Sequence, residues 1–298
     1  MKINCMKKNI TLIALFILFV SLTSNAQDNN WKTDNSDSSK FIKTFYNSRL
    51  INFHTVEVCN KRTMELRISH RFGAINGGPR EAWGLDGGAN IRLGFDYSLD
   101  GRLMVGIGRS SYQKMVDGFV KYRLLRQTKD GYTPLSITLF SSAYYINLKD
   151  PNKATNGFDK YEYSPWSRYS FAHEIIFARK FSDKFSLQIA PFFIHYNLAE
   201  KITDLNDIYG ATTAFRYKVT NHFAVTGEYG LCFNKYSRDQ YYNSLGVGFE
   251  IQTNGHVFQM HFTNSTGITE NQYLPFTTTK WTNAGVRLGF NLTRAFNL

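Results

Sequence analysis

The stretch NAGVRLGFNLTRAFNL, residues 283–298, alternates apolar side chains with glycine, arginine and asparagine. Its apolar members are Val286, Leu288, Phe290 and Leu292. Because residues two apart on a β-strand lie on the same face, the alternation predicts a strand with one apolar and one polar face. Such a strand suits a soluble β-sandwich, or a membrane barrel that has lipid outside and a polar lumen inside.

The same alternation recurs along most of the chain from residue 63 onward. Twelve segments show it, starting at residues 63, 89, 102, 117, 135, 168, 185, 208, 223, 242, 256 and 283. No apolar pattern with helical spacing persists over several turns. The sequence therefore predicts an all-β chain, folded as a single transmembrane antiparallel up-and-down barrel of about 12 strands, with 10 or 14 as the margins.

The connections between these segments fall into two length classes. Tight turns are predicted at 100–101, 182–184, 221–222 and 253–255, and the longer connections are 74–88, 149–167, 199–207, 234–241 and 267–282. Short turns that alternate with long loops are typical of outer-membrane barrels, with the turns in the periplasm and the loops outside the cell. A soluble two-sheet sandwich is the alternative, but it would need a second layer to cover each apolar face.

The N-terminus has the three parts of a secretory signal peptide. Lys2, Lys7 and Lys8 precede an apolar run of 13 residues, and Ser-Asn-Ala precedes Gln27. That run is shorter than the roughly 20 residues that span a bilayer. We expect a signal peptide at 1–26, a disordered leader at 27–40, a periplasmic or lumen-inserted segment at 41–62 and an outer-membrane barrel at 63–298.

Composition limits the partners of the chain. Aromatic residues make up 16% of it, and the formal net charge is +12, or +9 after the three signal-peptide lysines are removed. The basic residues are spread along the strands without a Lys/Arg-rich run, which excludes a nucleic-acid interface. The predicted partners are outer-membrane lipid and small solutes, with anionic solutes favoured by the basic balance.

The polar faces of the predicted strands carry charged residues of both signs. The predicted lumen-lining residues are Arg67, Arg92, Asp96, Lys121, Arg123, Glu174, Arg216, Lys218, Glu228, Glu250 and Arg287. Counted with Glu65, Asp117 and Lys180, the inward set has eight basic and six acidic residues. It is interpreted as the ion-paired lining of either a salt-bridged plug or a wet pore.

Other chemistry finds little support in the sequence. The Gly-x-Gly stretches at 106–108 and 246–248 do not open a helix, the seven histidines lack metal-ligand spacing, and no serine motif supplies a partner for His261. We therefore expect no enzyme activity, catalytic residue, cofactor or metal. Whether Cys59 and Cys232 pair stays open.

Two irregularities interrupt the strand pattern. The stretch PFFIHYN, residues 191–197, changes phase near Phe192 and Phe193, which predicts a β-bulge. His173 falls on the nominal lipid face, away from a strand end where a polar side chain could reach the headgroups.

Three stretches resemble a known family. MELRISHRFGAING (64–77), IRLGFDYSLDGRLMVGIGRSS (91–111) and DGFVKYRLLRQ (117–127) are similar to a Gram-negative outer-membrane β-barrel family described as a domain of unknown function. The resemblance runs from about residue 45 to the end. It implies a fold and a location but no catalytic residues.

Two functional hypotheses follow. The first is a narrow, porin-like channel for small solutes. The alternative is a non-conducting docking barrel whose extracellular loop 149–167, with Tyr161, Tyr163 and Trp166, contacts a protein partner.

Overall fold

The structure is a computed structural model that describes residues 40–148, 164–199, 205–234, 240–253 and 255–298. Residues 36–298 form one compact unit. The signal peptide predicted at 1–26 and the leader predicted at 27–40, apart from residue 40, lie outside the described residues. The strands are β1 (Thr63–Ala74), β2 (Asn90–Ser98), β3 (Leu103–Ser110), β4 (Val116–Leu125), β5 (Ser136–Tyr145), β6 (Tyr169–Lys180), β7 (Phe185–Tyr196), β8 (Asp207–Lys218), β9 (Phe223–Cys232), β10 (Ser244–Gln252), β11 (His256–Thr263) and β12 (Arg287–Asn297).

Each strand pairs with its neighbours along the chain, and β1 closes the barrel against β12. All twelve pairings are antiparallel. The predicted closed 12-strand barrel is confirmed, and the sandwich alternative is wrong. The closing pair runs from Thr63 opposite Asn297 to Arg71 opposite Gly289, and the Leu298 N–H donates to the Arg62 carbonyl at 2.9 Å.

Within the described residues, helical structure is confined to short pieces. These are one α-helix, α1 (Glu270–Tyr273), and 3₁₀ turns at Ile75–Gly84, Tyr112–Lys114, Pro165–Arg168 and Trp281–Asn283. None of the helices in the described ranges is long and apolar enough to cross a membrane. The last of the turns delays β12 by four residues relative to the prediction, because Ala284 after it adopts a left-handed backbone with φ of 50°.

The wall is apolar outside, and its inner face carries polar and charged side chains together with an apolar cluster that includes Met104, Phe119 and Phe140. Side chains on the outward faces include Leu93, Phe95 and Ile107, the last of which is 58% exposed. The alternate positions, such as Lys121 and Glu250, are buried. This is the reverse of a soluble protein and suits a barrel surrounded by lipid.

Three of the tight turns are closed by the same device. A side-chain oxygen at the first turn position accepts hydrogen bonds from the backbone N–H groups two and three residues further on. Asp100 accepts from Arg102 at 2.8 Å and Leu103 at 2.7 Å, and Ser182 and Thr220 do the same in their turns. Such local bonds favour turns over continued strands. Because these two N–H groups donate to it, the pKa of the exposed Asp100 carboxyl lies below its ordinary value.

The bulge predicted near Phe192 and Phe193 is wrong. The register between β6 and β7 is the same on both sides, with Glu174 opposite Phe192 and Phe177 opposite Ile189. Only the pairs between them are missing, because Pro191 has no N–H to donate. The apparent change of phase arises because the inward residues in the second half of β7, Ala190, Phe192 and Ile194, are themselves apolar.

Candidate functional site in the barrel interior

Residues 41–58, here called the inner segment, form a hairpin that is mostly buried and contacts the inner faces of the strands. It begins beside the connection between β4 and β5, where the Ile42 N–H donates to the Gln127 carbonyl at 2.8 Å. The hairpin is closed by the Thr55 N–H, which donates to Ser48, and by the Leu50 N–H, which donates to Phe53, both at 2.9 Å. Its tip is therefore residues 50–53.

The carboxylate of Glu228, on β9, binds the tip. It accepts hydrogen bonds from the Asn52 N–H at 3.0 and 2.9 Å, from the Phe53 N–H at 3.1 Å and from the Asn52 side-chain amide at 2.5 Å. Two backbone donors that would otherwise be orphaned in the turn are satisfied in this way. Glu228 thus acts as a charged socket for the tip.

Basic residues of the wall bind the carbonyl groups of the same hairpin. Arg67 donates to the Leu50 carbonyl at 2.6 Å, and Arg71 donates to the Ile51 carbonyl at 3.1 Å. Lys121 donates to the Ser48 carbonyl at 3.1 Å and to the Glu57 carbonyl. Neutral wall side chains also donate hydrogen bonds to backbone carbonyls of the inner segment. These side chains are Thr138, Ser186, Gln188 and Asn291.

At the base of the hairpin, the side chain of Glu57 binds the opposite arm. The Glu57 carboxylate accepts from the Thr44 N–H at 2.7 Å and the Phe45 N–H at 3.2 Å. Its second oxygen lies 3.8 Å from the Arg123 guanidinium of β4. Both arms of the hairpin are therefore tied together next to the turn end of the wall.

A second piece of chain enters the interior from the other end. The connection 264–286 between β11 and β12, here called the inner loop, carries α1, whose four residues are all buried. The Asn271 amide donates to Ser170 at 2.9 Å, and the hydroxyl of Tyr196 donates to the Asn271 carbonyl. The hydroxyl of Tyr144 donates to the Glu270 carboxylate at 2.5 Å. The sequence predicted this stretch as an external loop, yet its middle folds inward.

The inner segment and the inner loop meet in the interior. The rings of Phe53 and Tyr273 stack with centroids 5.2 Å apart, and His54 Nε2 lies 3.8 Å from the Glu270 carboxylate. Burial, together with nearby cations such as Arg49, holds the pKa of His54 well below its ordinary value. The imidazole is therefore neutral, and its contact with Glu270 is not an ion pair.

The wall also contains ion pairs that do not involve the inner segment. Arg92 of β2 binds Asp117 of β4 through two bonds, at 2.9 and 2.5 Å, and Arg216 of β8 binds Glu250 of β10. Asp96 is buried with neither carboxylate oxygen hydrogen-bonded to a described residue. The predicted pairing of inward charges therefore holds for some residues and not for others.

The structure places the eleven predicted lumen-lining residues on the inner face, where nine are buried and Lys218 and Arg287 are half-buried. Whether they line an open lumen stays a prediction. Sequence reasoning missed Arg71, although it continues the inward alternation of Glu65, Arg67 and Ser69. It also missed the polar residues of the inner segment, which has no periodic pattern.

Several remaining predictions can be placed. The predicted contact loop 149–167 lies outside the described residues up to residue 163, and Trp166 beyond them is 70% exposed. No disulfide joins Cys59 and Cys232. Within the described ranges, no three His, Cys, Asp or Glu side chains are positioned to hold a metal ion.

A closed barrel with an apolar outer wall and a polar, occupied interior defines a membrane-embedded β-barrel protein. The chain belongs to the family described as Membrane bound beta barrel domain (DUF5777), which matches residues 45–296. The resemblance seen in the sequence is thereby confirmed. A comparison with curated proteins found no match.

Solved structures with a similar fold include two porins and an enzyme. The NanC porin is 8% identical with a TM-score of 0.47, covering 79% of this chain and 100% of that one. The KdgM porin is 10% identical with a TM-score of 0.46, covering 78% and 99%. An active-site mutant of outer membrane phospholipase A from Escherichia coli is 9% identical with a TM-score of 0.44, covering 79% and 91%.

Proposed function

We propose that this chain is an outer-membrane channel for small solutes whose lumen is closed at rest by the inner segment. The observation that carries the proposal is the way the hairpin is held, because charged side chains of the wall bind its backbone at the tip. A barrel of 12 strands is wider than the eight-stranded size that wall side chains just fill. The inner segment fills interior space that the wall side chains leave.

The charged hydrogen bonds at the tip favour a removable closure, and the apolar packing of Phe45, Leu50 and Val56 opposes it. Within the described residues, the inner segment joins a strand at one end only, at Thr63. If the hairpin withdraws, the groups that held it regain water, so their desolvation does not oppose an open state. The freed wall would present Arg67, Arg71 and Lys121 against Glu228, which favours anions.

The location and orientation follow from the sequence. The predicted signal peptide would deliver the chain to the periplasm, and the short turns would face that side. The inner segment then enters the lumen from the periplasmic end, and the inner loop enters from outside.

A non-conducting docking barrel is the second candidate. It is favoured by the contact between Phe53 and Tyr273, because this contact joins the inner segment to the inner loop, which enter from opposite ends. In that case the interior is permanently filled, and the exposed Trp166 next to the predicted contact loop serves a protein partner.

Planar-bilayer recording of the refolded protein separates the two. We expect small, infrequent conductance from the intact protein and severalfold larger conductance after deletion of residues 41–58, with anion preference in a salt gradient. Faster gel migration without heating would show that the deletion variant is still a folded barrel. If that folded variant does not conduct, the channel proposal fails and the docking barrel replaces it.

A further inference from the structure

A groove with a polar floor lies in the lipid-facing wall. It has a volume of about 520 Å³ and lies across the outer faces of β4 to β7. Its apolar sides include Val120, Leu139 and Phe193, each exposed on the outer surface. The volume falls within the roughly 300–1,000 Å³ of ordinary ligand sites.

The polar floor is a serine and histidine pair on neighbouring strands. Ser141 of β5 lies directly opposite His173 of β6, and Ser141 Oγ is 3.0 Å from His173 Nδ1. Both side chains are exposed on the outer face. Because polar groups in hydrocarbon are costly unless they are hydrogen-bonded, this pair needs a reason to be there.

The simplest reason would be contact of His173 with the lipid headgroups, but its depth in the wall rules this out. His173 lies four residues from the loop end of β6, about 10 Å into the membrane for a tilted strand. The aromatic rings of Tyr145, Trp166 and Tyr169 cluster at that end, where an interfacial girdle is expected. An imidazole so far below the girdle cannot reach the headgroups.

The strand beside the pair has a broken hydrogen-bond ladder. Asn197 donates to Tyr169 at 3.1 Å, so the odd-numbered residues of β7 direct their backbone groups toward β6. Pro191 is one of these and has no N–H, which leaves the carbonyl of Ile175 without its ladder donor. Pro191 and Ile175 both line the groove. A second polar feature therefore lies in the same depression.

The valence of the pair indicates the kind of group it can bind. A neutral imidazole has one N–H and serine has one O–H, and their mutual bond uses one of these hydrogens. One donor and at least one acceptor therefore remain directed at the groove, whichever tautomer is present. A hydroxyl group both donates and accepts, so it satisfies the pair, whereas a plain methylene chain does not.

The occupant of a groove in a lipid-facing wall is membrane lipid. We propose that this groove binds an acyl chain that carries a hydroxyl group, with the hydroxyl bound by Ser141 and His173 and the methylenes packed against Leu139 and Phe193. The site is separate from the interior and does not depend on whether the barrel conducts.

Competition binding to the refolded full-length protein in detergent tests this proposal. The probes are octadecanoic acid and hydroxyoctadecanoic acid with its hydroxyl at mid-chain, each displacing a fluorescent fatty acid. We expect the wild-type protein to prefer the hydroxylated chain about tenfold, the effect of one or two hydrogen bonds. The double variant Ser141→Ala with His173→Phe should lose the preference and still bind the plain chain.

Two controls isolate the groove. Leu139→Ala should weaken both chains equally and keep the preference, and His195→Ala, which removes an exposed histidine paired with Asp207, should change neither affinity. Equal binding of the two chains to the wild-type protein, or a preference that survives in the double variant, would overturn the proposal. So would a dimer that forms only when the pair is intact, because a second barrel would then be the occupant.

Discussion

The inner segment and the inner loop are both buried in the barrel, but the wall holds them by different means. The wall binds the backbone of the inner segment through the charged groups of Glu228, Arg67, Arg71 and Lys121. It binds the inner loop through neutral hydroxyl groups, one of which donates to the Glu270 carboxylate. Both pieces also pack in the same apolar cluster, which includes Leu50 and Val56 of the inner segment and Tyr273 and Leu274 of the inner loop.

This difference indicates which of the two can move. Hydrogen bonds to charged groups contribute about 1.5–3 kcal/mol each, and neutral ones about 0.5–1.5 kcal/mol. Charged groups also recover strong hydration when they separate, which lowers the net cost of opening the contacts at the tip. The inner loop is in addition fixed at both ends, to β11 and β12. We therefore propose that the inner segment closes the lumen and that the inner loop fills it permanently.

The largest effect is expected from Glu228→Gln. The amide keeps the shape of the socket but opposes the donors of Asn52 and Phe53 with a donor of its own. We expect channel openings in planar bilayers to become about tenfold more frequent, the result of losing roughly 1.4 kcal/mol of binding.

Asp117→Asn is the matched control for this substitution. It neutralises an equally buried carboxylate that binds Arg92 and no part of the inner segment. Its openings should equal those of the wild-type protein. Equal opening rates for Glu228→Gln and the wild-type protein would contradict the claim that the inner segment, and not the inner loop, closes the lumen.

A smaller effect is expected from Arg67→Gln combined with Arg71→Gln in the protein that lacks residues 41–58. Removal of two fixed positive charges from the exposed wall should move the reversal potential in a salt gradient toward cation preference. Arg179→Gln removes one charge from the lipid-facing side of β6 and should leave the potential unchanged. A shift of equal size from Arg179→Gln would show that the lumen charges are not what the ions meet.

Acidification should loosen the inner segment modestly. The pKa of His54 is lowered in the packed state, whereas a released histidine has a pKa of about 6.5. The packed state therefore binds fewer protons than the released state. The contribution of neutral His54 to its stability is complete above pH ~6.5 and is lost as the pH falls toward the lowered pKa. Channel openings should increase on acidification and become less pH-dependent in His54→Phe.

The smallest effect is expected from Tyr196→Phe in the inner loop. It removes one neutral bond to the Asn271 carbonyl, which is worth about 0.5–1.5 kcal/mol. Amide exchange in α1 should quicken less than tenfold, with no change in conductance. Tyr209→Phe, on the outer face of β8, provides the control. A large rise in conductance from Tyr196→Phe would show that the inner loop is also part of the closure.

The sequence predicts the wall well because its information is local. Alternation in stretches such as 288–292 defines the two faces of a strand, and Asp100, Ser182 and Thr220 mark their own turns. Together with the alternating loop lengths, these signals predict a closed barrel of about 12 strands, with 10 or 14 as the margins.

The contents of the barrel depend on contacts that no local pattern records. Asn52 and Glu228 are separated by 176 residues, and Ile51 and Asn291 by 240. The inner segment has no period, and the inner loop has the composition of an external one. Inward residues could be named from alternation, but the partner of each depends on chain that returns from far away.

Hydrogen exchange at the backbone amides of Asn52 and Phe53 tests the central claim most directly. In the refolded wild-type protein we expect both amides to exchange at least about a hundredfold more slowly than unbonded amides, and Glu228→Gln to remove most of that protection. Exchange of both amides at the unprotected rate in the wild-type protein would contradict the account, because the tip would then not be held in the barrel.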